Sequence, residues 1–427
     1  MTEKTYYVTT PIYYVNDRPH IGHAYTTLAA DVMARFKRLD GYDVHFLTGT
    51  DEHGQKIQRS AEAKGITPQQ FTDEVSAVFR ELATDFNFSN DDFIRTTEER
   101  HKRACAEMWK RLQDAGHIYL DKYSGWYAVS DEAFYDESEL KEGPDGSKIA
   151  PTGKPVEWVE EESYFFRLSA FEQPLLDLYE NQPDFILPKG RRNEVISFVK
   201  GGLQDLSISR TTFDWGVKVP GDEKHVMYVW LDALTNYITA TGWPDEAPRW
   251  PADLHLVGKD ILRFHAIYWP AFLMGAGLPL PKRVFAHGWW TNEGEKISKS
   301  LGNVIDPYEL KETFGLDQTR YFLLREVPFG NDGDFRREAM VTRMNSDLAN
   351  NLGNLAQRSL SMIAKNLDGV VPSVELTDAD EALIDAAGEG LLASVRELLD
   401  QQAFNKALET IWAVISDANV YIDAQAP

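Results

Sequence analysis

Apolar positions change their period twice within the first fifty residues. Residues 5–10 (TYYVTT) are β-branched and aromatic, which predicts a strand. Asn16-Asp17-Arg18-Pro19 then turns the chain. Beyond it Ala24, Leu28, Val32, Phe36 and Leu39 fall on one face of a helix that Gly41 stops. Val44, Phe46 and Leu47 mark a second strand. The result is a βαβ unit, and the loops after its strands are where an open parallel sheet binds ligands. Thr67-Pro68-Gln69-Gln70 predicts a further helix start, with a capping pair and proline at the first helical position.

From about 116 to 225 the texture changes to short aromatic segments and turns such as Gly143-Pro144-Asp145-Gly146, as expected of a domain inserted into the sheet domain. The α/β pattern resumes near Val226. From about 335 onward long helical patterns dominate, for example Leu391, Leu392, Val395, Leu398 and Leu399. The expected division is therefore 1–115 and 226–335 for two halves of an α/β sheet domain, 116–225 for the insertion, and 336–427 for an α-helical bundle.

A chain of 427 residues is too long for one core, and its 43% hydrophobic share is ample for several. No apolar run approaches a membrane span, and the opening MTEKTYYVTT lacks the basic start and apolar stretch of a signal peptide. The single cysteine, Cys105, excludes an internal disulfide and a cysteine-based metal cluster. Together these features point to a cytoplasmic protein without a membrane partner. The net charge of −23 argues against non-specific nucleic-acid binding. It leaves room for an RNA partner if basic residues gather on one face, as in Lys189-Gly190-Arg191-Arg192 or Arg336, Arg337 and Arg343.

Two segments carry phosphate chemistry. His20-Ile21-Gly22-His23 lies where the first strand gives way to its helix, and a helix N-terminus offers free N–H groups to a phosphate. Two histidines three apart share a face there, and Gly22 lets a ligand approach the backbone; a merely polar helix start has the same look. Lys296-Ile297-Ser298-Lys299-Ser300, between Gly294 and Gly302, can clamp a triphosphate and offset charge as pyrophosphate leaves. A charged surface loop has the same composition.

The two segments in this order resemble the signature pair of class I aminoacyl-tRNA synthetases, which implies a doubly wound, Rossmann-type parallel-sheet catalytic domain. Further segments resemble methionyl-tRNA synthetases: Pro11-Ile12-Tyr13-Tyr14-Val15-Asn16, Thr48-Gly49-Thr50-Asp51-Glu52-His53-Gly54, Tyr228-Val229-Trp230-Leu231-Asp232-Ala233, and Gly258-Lys259-Asp260-Ile261-Leu262-Arg263-Phe264-His265. The likeness extends over nearly the whole chain. It implies activation of L-methionine by ATP with Mg²⁺, giving methionyl-adenylate, and transfer to the 3′ end of tRNA(Met), with no obligatory protein partner.

On this resemblance His20, His23, Lys296 and Lys299 are the catalytic residues. Asp51, at the sheet's ligand edge, holds the α-ammonium group. Ile12, Tyr14, Trp230, Ala233, Leu234, Tyr237, Ile261, His265 and Trp269 resemble the walls of the methionine pocket, although such helical stripes on their own suit plain core equally. Aromatic rings suit a polarizable thioether, and Tyr14 and His265 offer polar contacts near the sulfur. Gly22, Gly258, Asp260, His287, Trp290, Ser298 and Ser300 resemble the ATP site. Asn354 and Arg358, four apart on one helix face, resemble an anticodon-reading pair; a solvated face is the plain alternative. Ile297 stands where the family often has methionine. Residues 120–160 contain no cysteine, so no structural zinc and no metal ligand is expected. The family usually continues beyond Ala424-Gln425-Ala426-Pro427 into a tryptophan, so a truncated or incompletely ordered chain is the expectation. A small-molecule adenylyltransferase and a non-catalytic RNA-binding relative are rival expectations, and the interval between the two motifs is short for the editing domain of a branched-chain synthetase.

Overall fold

The computed structural model describes residues 4–15, 18–131, 133–143, 146–297 and 303–425, without the side chains of Tyr123, Glu161 and Lys296. The chain divides into two compact units, one made of 1–19 with 26–286 and the other of 20–25 with 287–427.

The first unit is built on a six-stranded sheet in the order Asp92–Arg95, Asp43–Asp51, Thr5–Tyr14, Leu254–Gly258, Val284–His287, Ile186–Leu187. Its strands pair in parallel, and the helix Ile21–Leu39 makes the crossover between Thr5–Tyr14 and Asp43–Asp51. The first strand runs four residues beyond the TYYVTT segment. Pro11 has no N–H for the ladder, so the pairing with the Asp43–Asp51 strand shifts register between Thr9 and Ile12 and then resumes. The predicted start at Thr67 is present: its hydroxyl accepts from the Gln70 N–H, the Gln70 side chain closes the capping box, and Pro68 opens the helix Pro68–Asp85.

The helix Glu99–Asp114 contributes to the main apolar core. His101, Cys105, Met108, Trp109 and Leu112 form its buried stripe at helical spacing. Trp109 and Trp269 are among the largest fully buried side chains of the unit. Residues 118–227 contribute an antiparallel four-stranded sheet ordered Leu206–Ser207, Glu157–Phe166, Ile118–Ala128, Ala133–Tyr135, and a small sheet around Asp222–Met227. The doubly wound parallel sheet expected from the resemblance is therefore present, with antiparallel structure between its halves.

The second unit carries a three-stranded sheet ordered Glu295–Lys296, Trp290–Asn292, Gly333–Phe335. Helices follow, including Leu316–Arg325, Asn354–Asn366, Glu389–Asp400 and Phe404–Gln425. No described helix is long and apolar enough to cross a membrane.

Candidate active site

Parallel pairing makes Tyr14 the cross-strand partner of Asp51 at the carboxyl edge of the sheet. The chain then enters the turn Asp51-Glu52-His53-Gly54, which is fixed from several sides. Glu52 is fully buried and accepts from Arg95 through both oxygens, at 2.7 and 2.9 Å, and from the hydroxyls of Thr50 and Thr97. Its carbonyl accepts from the Trp215 indole N–H at 2.5 Å. Gly54 sits at φ 117°, ψ 165°, a conformation closed to other residues. Asp51 itself is buried, so its carboxylate stands on a platform that is already rigid.

The helix Val229–Thr239 places Trp230, Ala233, Leu234 and Tyr237 at positions i, i+3, i+4 and i+7, one face of the helix. Facing chemistry comes from a 3₁₀ turn at Lys259–Ile261, a π turn at Phe264–Tyr268 and the helix Trp269–Gly275. The π turn was not foreseen; such turns often mark functional sites. Trp230 stacks on Phe264 with ring centroids 3.6 Å apart and a 10° interplanar angle. Tyr237 packs near His265 and Trp269, at 5.6 and 6.1 Å. Ile12 and Ile261 pack against the same core cluster, whereas Tyr14 packs with Tyr13 and Ile57 in a separate one.

Hydrogen bonding sets the tautomer of His265. Its Nδ1 lies 2.9 Å from the Ile261 carbonyl oxygen, which can only accept, so Nδ1 carries the proton. Nε2 then accepts from the Tyr237 hydroxyl at 2.6 Å. Burial lowers the His265 pKa to about 4, against smaller upward influences from the Ile261 carbonyl and Asp260, so the ring is neutral at pH 7. Its ring N–H is committed, and the Tyr237 hydroxyl proton is the only one in this pair able to turn toward a thioether. Behind it, His255 bonds Thr9 Oγ1 at 2.7 Å and is also kept neutral by burial.

Asp260, after the strand end at Gly258, is exposed. It borders a cleft of about 660 Å³ with Tyr228, Arg263, Phe264 and Arg210. Arg210 is a buried cation that the sequence alone did not mark. It donates to Ser207 Oγ at 2.8 Å and lies 4.7 Å over both Phe134 and Tyr228. A single arginine in a polar segment has no periodicity to betray it.

In the second unit the two motif histidines are pre-oriented by their own backbone. The Gly22 N–H donates to His20 Nδ1 and the His20 N–H to His23 Nδ1, each at 3.0 Å. The rings lie 3.9 Å apart. With Nδ1 accepting, each neutral ring carries its proton on Nε2, a donor suited to phosphate oxygen. His287 is buried against Tyr25 and Phe329, and Trp290 meets Tyr25 edge-on at 5.5 Å. A Cβ at Gly288 would lie 2.1 Å from the Asn331 carbonyl oxygen, so the backbone there accepts glycine alone. Lys296 pairs through its backbone with Thr291. The Lys296 side chain and Ser298, Lys299 and Ser300 lie outside the described residues.

Asn354 and Arg358 share the helix Asn354–Asn366. Asn354 donates to the Asn350 carbonyl at 3.0 Å, and Arg358 pairs with Asp423. Arg358 also borders an open groove of about 440 Å³ with Met362, Lys365 and Ile422.

Among the described residues one group has metal-ligand spacing. His101, Cys105 and Asp232 present donor atoms within 4.8 Å of one another. Both Asp232 oxygens, however, already accept from imidazole: Oδ1 from His101 Nε2 at 2.7 Å and Oδ2 from His53 Nδ1 at 2.6 Å. The group is satisfied as a hydrogen-bonded network.

Comparison with known proteins places these features in one family. The family model described as tRNA synthetases class I (M) matches residues 6–360. The methionine–tRNA ligase of Brucella suis is 60% identical over 432 residues, covering all of this chain and 84% of that protein. The methionine–tRNA ligase of Mesorhizobium japonicum is 61% identical and is covered to 83%. Among solved structures, Mycobacterium tuberculosis methionyl-tRNA synthetase bound by methionyl-adenylate superimposes with a TM-score of 0.96 at 58% identity, over 99% of this chain and 85% of that one.

Proposed function

The chain belongs to the class I tRNA synthetases of the methionine type, and on that premise we propose that it activates L-methionine with ATP and transfers it to tRNA(Met). The observation that carries this reading is the 58% identity and 0.96 TM-score to a synthetase holding methionyl-adenylate. The methionine carboxylate attacks the α-phosphorus of ATP, and pyrophosphate leaves. The terminal ribose hydroxyl of the tRNA then attacks the acyl carbon and AMP departs. No protein nucleophile is needed, so the protein contributes position and charge.

Asp51 receives the α-ammonium group by a charge-assisted hydrogen bond. Ile12, Tyr14, Trp230, Ala233, Leu234, Tyr237, Ile261, His265 and Trp269 enclose the side chain. Gly22, Gly258, Asp260, His287, Trp290, Ser298 and Ser300 hold ATP, which carries Mg²⁺ on its own phosphates. The Nε2–H groups of His20 and His23 and the ammonium groups of Lys296 and Lys299 stabilise charge on the phosphates as pyrophosphate departs. Asn354 and Arg358 read the anticodon from a helical domain spanning 336–427, and 116–225 is the connective insertion. The setting that suits a tRNA substrate is the cytoplasm.

ATP–pyrophosphate exchange with each of the twenty amino acids tests this. Methionine should exceed leucine, isoleucine and valine, since pockets separate near-isosteres by about 1–3 kcal/mol. Equal rates with leucine would refute the assignment.

A further inference from the structure

The Asp232 carboxylate has no part in the chemistry above, yet it is held on both oxygens inside the first unit. It is fully buried. Burial, the largest influence, pushes its pKa up, but the attraction of His53 and hydrogen bonds from His101 and His53 carry it well below the usual carboxylate range. The carboxylate is therefore ionised, with one imidazole on each oxygen. Its two partners come from different elements. His53 lies two residues beyond Asp51 in the turn after the strand Asp43–Asp51, and His101 lies on the helix Glu99–Asp114. Asp232 lies between Trp230 and Ala233 on the helix Val229–Thr239. One buried charge thus ties the turn that carries Asp51 to the helix that carries the aromatic wall. Cys105 reports the local field: burial raises its thiol pKa, and the charges of Asp232 and Asp51 raise it further.

Resting on the methionine-activating reading, we propose that Asp232, acting through His53 and His101, is the positioning residue that sets methionine affinity. It locks the ammonium-binding turn against the pocket helix. A ligand with an α-ammonium group gains from this; ATP does not. The His53 contact is the more informative arm, because it joins the turn directly.

Steady-state ATP–pyrophosphate exchange on the full chain tests the proposal, with Asp232→Asn, His53→Ala and His53→Asn measured beside the unaltered protein. Asparagine keeps an N–H donor near the position of His53 Nδ1. Loss of the charge should raise KM for methionine roughly tenfold or more, while KM for ATP stays within about twofold. His53→Ala should behave similarly, and His53→Asn should recover most of the affinity. Methionine KM unchanged in both Asp232→Asn and His53→Ala overturns the proposal. So does a parallel loss of methionine KM, ATP KM and melting temperature in which His53→Asn is no better than His53→Ala, since that is the signature of packing alone. If Asp232→Asn fails to fold, the two His53 variants decide. An unaltered protein without methionine-dependent exchange would refute the parent reading instead.

Discussion

The pocket around Tyr237 and the helix face around Arg358 solve opposite problems. Around Tyr237 several polar side chains are matched internally: Tyr237 to His265, His265 to the Ile261 carbonyl, Asp232 to two histidines. The buried Trp269 indole N–H, by contrast, has no partner among the described residues. On the proposed reading, a small, largely apolar ligand meets these prearranged groups. On the helix face, Asn354 and Arg358 are exposed, and their contacts are to Asn350 and to an exposed Asp423. Exposed pairs of this kind are worth about 0–1 kcal/mol, so they can be exchanged for RNA contacts at small cost. On the proposed reading, affinity for the amino acid is built into the fold, whereas RNA recognition uses groups the fold can release.

Four changes would break or sharpen that contrast. The largest concerns the chemistry rather than the pocket: Lys299→Ala should lower kcat for exchange by roughly 10²-fold or more while leaving methionine KM nearly unchanged. Stopped-flow measurement of adenylate formation checks it, and an unchanged rate would remove Lys299 from the catalytic set.

Next is the stability stored in a buried neutral imidazole. The folded pKa of His265 is about 4, against about 6.5 for an unfolded histidine. Between those values the unfolded chain takes up a proton that the folded chain refuses. Stability from this group is therefore intact above pH 6.5 and is lost as pH falls toward 4. By linkage the difference between pH 7 and pH 5 is about 2 kcal/mol. Denaturant titrations of the unaltered protein and His265→Gln at both pH values should differ by about that amount, with the variant less pH-sensitive. Equal pH slopes would contradict the neutral, buried state.

Trp230→Ala should raise methionine KM roughly tenfold by removing the ring stacked on Phe264, with little change in ATP KM. The smallest effect belongs to the exposed face. Asp423→Ala should change stability by less than about 1 kcal/mol, read as a shift in melting temperature. A larger loss would show that the Arg358 pair holds the helices together.

Features carried by neighbouring residues were legible in the sequence. The βαβ unit, the Thr67 capping box and the amphipathic order of Trp230, Ala233 and Tyr237 all follow from local spacing. Pro11 was visible, but the strand's continuation beyond it was not, because resumption of the ladder depends on the partner strand. The π turn at Phe264–Tyr268 keeps a helix-like pattern and so left no mark of its own. The Asp232 network was illegible for a different reason. Its histidines lie 179 and 131 residues away in the chain, and nothing in either segment names the other. Lys299, Ser298 and Ser300 remain assignments from sequence alone.

The most direct test of the contrast is to measure both half-reactions on one variant. Arg358→Ala should leave methionine-dependent pyrophosphate exchange nearly unchanged and lower charging of tRNA(Met) by about tenfold or more, since a base-edge contact is worth roughly 1–3 kcal/mol. Charging of a tRNA with an altered anticodon, already poor, should change much less. A parallel fall in exchange and charging would contradict the division between a prebuilt pocket and a releasable RNA-reading face.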